Sequence, residues 1–156
     1  MILIGTKNTG TQTVLTDGTI NIGSVYRRFC KKNECGIAAF SRTANDISLQ
    51  HSGIYHITAT FVASAPAAGT VTVQLLQNGT AVEGAFASET ITTATTELRT
   101  MVIDYYILVD KNLILDTAKT VAQTISFANT GDDATFTSVV VNIDKVVQKG
   151  VRYGYA

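Results

Sequence analysis

The stretch Gly53-Ile54-Tyr55-His56-Ile57-Thr58-Ala59-Thr60-Phe61, followed by Val71-Thr72-Val73-Gln74-Leu75-Leu76-Gln77-Asn78-Gly79-Thr80-Ala81-Val82, decides the fold. Successive side chains of a strand point to opposite faces, so Tyr55, Ile57, Ala59 and Phe61 share one side and His56, Thr58 and Thr60 the other. Asn78-Gly79 tolerates the positive φ that both central residues of a two-residue hairpin turn require. An alternating strand before a strand that turns on Asn-Gly predicts antiparallel β structure.

Working outward, the same signals predict strands at 19–26, 37–41, 46–50, 70–77, 81–86, 98–109, 112–116, 123–128 and 135–147, with turn chemistry at Ala67-Ala68-Gly69 and Thr130-Gly131-Asp132-Asp133. Within 19–26, Ile20, Ile22 and Val25 are the inward candidates. Leu113, Leu115 and Ala118 could make one helical turn, but no segment carries a long helical period. Many short strands, a single proline and no βαβ alternation point to an all-β antiparallel jelly-roll β-sandwich. The first 18 residues, rich in Thr, Gly and Asn, read as an ordered first strand or as an arm. The expected organisation is an N-terminal arm and first strand over 1–35, a jelly-roll head over 36–147 and a tail over 148–156.

The chain has 156 residues, 46% of them hydrophobic, enough for one domain with a real core. Charged residues make up 15% and balance to a formal net charge of zero, which leaves no basic footprint for nucleic acid. Thr, Ser, Asn and Gln supply the polar surface instead, a composition suited to strands with one solvated face. The apolar run at Ile2-Leu3-Ile4 is too short for a membrane span or a signal peptide, so synthesis in a cytoplasm is expected.

The order of Asp46-Ile47-Ser48-Leu49, Gly53-Ile54-Tyr55-His56-Ile57, Val73-Gln74-Leu75 with Asn78-Gly79-Thr80, Met101 to Val109, and Val139-Val140-Val141-Asn142-Ile143 resembles the tumour-necrosis-factor-like and complement-type jelly-roll heads, in the compact form of phage and bacterial structural proteins. The resemblance covers about residues 37–147 and implies a homotrimer around a threefold axis. It further implies that Tyr55, Ile57, Phe61, Tyr105 and Ile107 fill the sandwich, while His56, Thr58, Thr60, Val102, Asp104 and Tyr106 face the neighbouring subunit. Where the family often has a Gly-Asp turn, this chain has Asp110-Lys111-Asn112.

Cys30 and Cys35 could close a loop disulfide or stay as thiols, but two ligands fall short of a structural zinc site. His51 and His56 are the only histidines, with no nucleophile or acid cluster at catalytic spacing; no enzyme, metal or cofactor is expected. Three copies of His56 on a threefold axis could bind a cation or titrate, though a hydrogen-bonded strand histidine is the simpler reading. Asp132-Asp133, and Asp110 with Asp116, read as turn residues rather than calcium ligands. Asn78-Gly79-Thr80 is a glycosylation acceptor pattern that the tight turn already explains. Arg27, Arg28, Lys31 and Lys32 could dock an acidic surface of a larger assembly, and Tyr153 and Tyr155 of the tail could serve as aromatic docking pieces.

The expectation is a virion structural protein of the capsid-decoration or head-fibre kind. Its partners would be two further copies of itself and a major capsid protein or other particle component, with neither nucleic acid nor membrane. The alternative is a receptor- or carbohydrate-binding module that meets a host surface glycan. Removing residues 1–18 is expected to leave the head folded.

Overall fold

The computed structural model describes residues 2–28, 38–109 and 123–146. Twelve strands and no helix run through them: β1 (Ile2–Asn8), β2 (Gln12–Val14), β3 (Gly18–Thr19), β4 (Ser24–Arg28), β5 (Ala38–Ser41), β6 (Asp46–Leu49), β7 (Gly53–Ser64), β8 (Gly69–Gln77), β9 (Thr80–Ile91), β10 (Arg99–Val109), β11 (Gln123–Asn129) and β12 (Ala134–Lys145). The first sheet runs β10-β7-β12-β1-β4, with β2 also pairing β12. The second runs β5-β6-β11-β8-β9, with β3 also pairing β11. The two sheets face each other as an antiparallel jelly roll.

The alternation read from β7 is the alternation observed. Tyr55, Ile57, Ala59, Phe61 and Ala63 are fully buried, and the residues between them lie half-buried on the outer face. Phe61 meets Phe127 of the opposite sheet edge-on at 5.3 Å between ring centroids, and Phe136 of its own sheet at 6.2 Å. On β10, Met101, Ile103, Ile107 and Val109 are buried and Tyr105 packs against the core, as the parity of Tyr105 and Ile107 predicts. Asn78 (φ 53) and Gly79 (φ 76) make the two-residue turn between β8 and β9.

Two expectations need correction, and one open choice is settled. Of the two readings of the N-terminus, the ordered first strand holds for residues 2–8 and the arm does not: β1 lies inside the first sheet, laddered to β12 on one side and β4 on the other, with Leu3 and Ile4 in the core. The strand expected over 19–26 is two strands in different sheets. Ile20 and Ile22 are fully buried, but Gly23 (φ 83) turns the chain across the end of the sandwich, and Val25 emerges exposed. The strand expected over 81–86 continues to Ile91, past a left-handed Gly84 (φ 77) where its register with β8 shifts. The strand expected at 112–116 lies outside the described residues.

Both ends of the sandwich have a distinct character. Ile2, Arg28, Ala38, Gly53, Val109, Gln123 and Val146 lie at one pole. The turns at 65–68 and 130–133 lie at the other, whereas those at 9–11, 20–23 and 42–45 lie on the flank, where Asn8 pairs with Val139 partway along β12.

Removing Ile2–Asn8 strips an inner strand from the first sheet, so the truncated protein should lose cooperative unfolding by circular dichroism rather than retain a folded head. Phe61→Ala, which removes a buried ring from both aromatic contacts, should cost about 3–5 kcal/mol in chemical denaturation.

Candidate functional site: an exposed sheet face and a free edge

β10 ends the first sheet with no strand beyond it among the described residues, and it is 11 residues long. Its outward side chains, Val102, Asp104, Tyr106 and Leu108, continue across the face through the β7 residues Thr60, Thr58, His56 and Ile54, their register partners. β12 extends the same rows with Val140, Asn142 and Asp144. The six residues that the resemblance assigns to a subunit contact, His56, Thr58, Thr60, Val102, Asp104 and Tyr106, therefore share one continuous surface.

The chemistry of that surface is mixed. The His56 and Tyr106 rings stack at 4.5 Å and 12°. His56 Nε2 is paired with an Asp104 carboxylate oxygen. Asp144 Oδ1, on the strand beside His56, is buried with no hydrogen-bond partner among the described residues. Around this polar centre Val102, Tyr106 and Leu108 are 52%, 58% and 64% exposed. Phe86 of β9, the edge of the other sheet, is 57% exposed on the same flank, where the Tyr105 hydroxyl donates to Glu83 O at 3.0 Å.

Across the sheet the face is closed by Tyr26. Its ring lies over Gly5, where a Cβ would come within 2.7 Å of it, and its hydroxyl donates to Asn142 Oδ1. Lys7 Nζ sits 5.6 Å from the same ring centroid, within cation–π range. Arg28 Nη2 donates to Ala38 O at 2.9 Å, and Arg27 is exposed beside it. Cys30, Cys35, Lys31, Lys32, Tyr153 and Tyr155 lie outside the described residues, as do Asp110 and Asp116.

The acidic turn does structural work. Asp132 Oδ2 accepts from Thr70 N at 2.7 Å, and Asp133 Oδ1 accepts from Thr16 N at 2.9 Å. Both carboxylates thus tie neighbouring turns together. Among the described residues, no three His, Cys, Asp or Glu side chains gather in a way that could hold a metal ion. Tyr55, named for the core, has its hydroxyl pushed up to about 12 by burial, and it donates to His51 O at 2.6 Å.

The exposed Phe86 and Leu108 carry no signal at the level of sequence, since an apolar residue on a β-strand is as easily buried as exposed.

The architecture is that of Eiger TNF from S. frugiperda, with a TM-score of 0.60 over 97% of this chain and 99% of that one at 9% identity. Other similar structures are PRD1 vertex protein P5, with a TM-score of 0.49, 14% identity and coverage of 94% and 99%, and the CBM35 of Cellvibrio japonicus Abf62, with a TM-score of 0.38, 15% identity and coverage of 92% and 96%. No family model matches the chain, and no curated protein matches it either. At such identities the likeness is one of fold: the protein is a tumour-necrosis-factor-like jelly-roll head in architecture.

Between β9 and β10, Glu97 accepts from Thr93 N, from Thr92 Oγ1 and N, and from Arg99, and these donors lower its carboxyl from 4.5 to about 2. A carboxyl lowered on folding stabilises the folded state above its unfolded value, here above pH 4.5, and loses that contribution as pH falls through about 2. The melting-temperature gap between the wild type and Glu97→Gln should therefore be widest above pH 4.5 and close toward pH 2.

Proposed function

We propose that this protein is a non-enzymatic structural head that assembles as a homotrimer on a virion, as a capsid-decoration or head-fibre subunit. The observation that carries the reading is the free edge strand β10 with Val102, Tyr106 and Leu108 exposed along it. A long apolar edge offers unpaired backbone groups and an apolar row to any passing strand, and soluble proteins cover such edges or blunt them with charge. Asp104 is the only charge on this edge between Arg99 and Val109. A second copy is the occupant that fits, because edge and face lie on one molecule and differ from each other. A contact between unlike patches closes into a ring when its rotation allows, and threefold closure is what the fold's resemblance implies.

The mechanism is geometric. Each subunit would lay its β9–β10 flank, with Phe86, Val102 and Leu108, against the outer face of the next, burying the His56–Tyr106 stack and its Asp104 partner. The pole that holds Ile2, Arg28 and Val146 would then face the particle, with Arg27 and Arg28 able to meet an acidic capsid surface. The turn-bearing pole would point outward. The net charge of zero and the Thr-rich polar surface support a particle exterior whose association changes little with salt.

A second reading, a receptor- or carbohydrate-binding module, uses the same fold with its turns as the recognition surface. A polar cleft on the flank of the sandwich, lined by Lys7, Asn21 and Arg42, favours it.

Light scattering coupled to size exclusion should give three times the monomer mass. Leu108→Glu, which puts a charge at an exposed site and removes no core contact, should shift the protein to a folded monomer with an unchanged far-ultraviolet spectrum. A wild-type monomer at high concentration would sink the trimeric reading.

A further inference from the structure

Between β3 and β4 the chain crosses from one sheet to the other, and the crossing closes a polar cleft of about 320 Å³. It is walled by Lys7–Gly10 from the end of β1, by Asn21, Gly23 and Ser24 from the crossing, and by Arg42 from the turn between β5 and β6. The volume falls within the range of small-molecule sites and suits one or two sugar rings.

The walls are held in place by amide side chains. Gln12 grips the main chain of Asn21 from both sides, its Nε2 donating to Asn21 O at 2.7 Å and its Oε1 accepting from Asn21 N at 2.8 Å. Asn8 Nδ2 donates to the same carbonyl at 3.0 Å. Gly23, in the left-handed region at φ 83, brings the crossing so close to β1 that a Cβ there would stand 1.9 Å from Lys7 O. The cleft is thus pre-formed, and a ligand would meet little ordering cost there.

Its lining is rich in donors. Asn21 Oδ1 accepts from Gly23 N at 2.7 Å, and Asn21 lines the cleft with an amide donor to spare. Thr9 and Ser24 contribute hydroxyls, and Lys7 and Arg42 contribute cations. Among the described residues neither cation has a carboxylate partner, and no Asp or Glu lines the cleft. Lys7 Nζ also lies 5.6 Å from the centroid of the Tyr26 ring, outside the cleft.

We infer that this cleft binds a carboxylate-bearing saccharide. Two cations without carboxylate partners among the described residues match one or two carboxylates, with the Arg42 fork suited to bidentate pairing. The Asn21 amide and the hydroxyls match ring hydroxyls. An acidic peptide would satisfy the charge, but it would leave the amide and hydroxyls without a reason. The inference deepens the carbohydrate-binding reading and rests on it, and it names the site and the ligand class.

The test is a titration of the 15N-labelled full chain with trigalacturonate, with its neutral methyl ester and with hexaglutamate. Saturable shifts of the Asn21, Gly23 and Ser24 amides are expected with trigalacturonate, at least tenfold weaker binding with the ester, and none of comparable affinity with the peptide. Arg42→Ala should weaken the trigalacturonate affinity about tenfold or more, the usual loss for one charge-assisted contact. Arg42 makes no bond that the fold needs, and an unchanged melting temperature would show it. No saturable shift with trigalacturonate, equal binding of the ester, or tighter binding of hexaglutamate would overturn the inference. Glycan binding that survives Arg42→Ala and maps away from Asn21 would also overturn it while leaving the carbohydrate-binding reading standing.

Discussion

The contact of Phe61 with Phe127 joins the two sheets at their centre, and most of the architecture depends on it. Phe61 lies on β7, the strand bracketed by β10 and β12, so its placement sets which face of three strands turns inward. The side-chain period of two makes this a binary choice, because a slip by one residue would send Tyr55, Ile57 and Phe61 to solvent and bury His56 and two threonines. The same choice places Val102, Asp104 and Tyr106 on the outer surface. The interior and the candidate contact surface are two sides of one constraint.

The turn-bearing pole is organised by a different device. Asn129 is fully buried, and its amide donates to Val14 O and Asp132 O while its carbonyl accepts from Gly131 N. With Asp132 and Asp133 receiving backbone N–H groups of Thr70 and Thr16, three turns are stitched to one another without a metal ion. Buried polar groups satisfied in this way specify one arrangement, since any alternative leaves a donor or acceptor unpaired in the interior.

The division of the surface follows from these two constraints. Apolar residues left over on β9 and β10 collect on a free sheet edge, where a further copy of the chain can cover them. Cations and amides collect on the flank at the crossing between the sheets, where Asn8 and Gln12 pin the main chain of Asn21. The basic residues Arg27 and Arg28 lie toward the opposite pole, with Ile2 and Val146. One small sandwich thereby presents three chemically different regions.

Periodicity and turn chemistry alone determined the all-β class, the inward faces of β7 and β10, the Asn78-Gly79 hairpin and the outward set from His56 to Tyr106, because these depend only on local geometry with a period of two. The same reasoning placed the Thr130–Asp133 turn, whose Gly and Asp residues have a local use. It did not place β1 inside a sheet, since pairing across more than a hundred residues leaves no mark on a short stretch such as Ile2–Asn8. Nor did it split 19–26 at Gly23, where the need for a left-handed glycine arises from the close passage of β1 in space. Only the tertiary structure brought Lys7 and Arg42 to one cleft and Phe86 to the flank of Leu108. Such neighbours are created by sheet order, and sheet order is decided by long-range packing rather than by any local pattern.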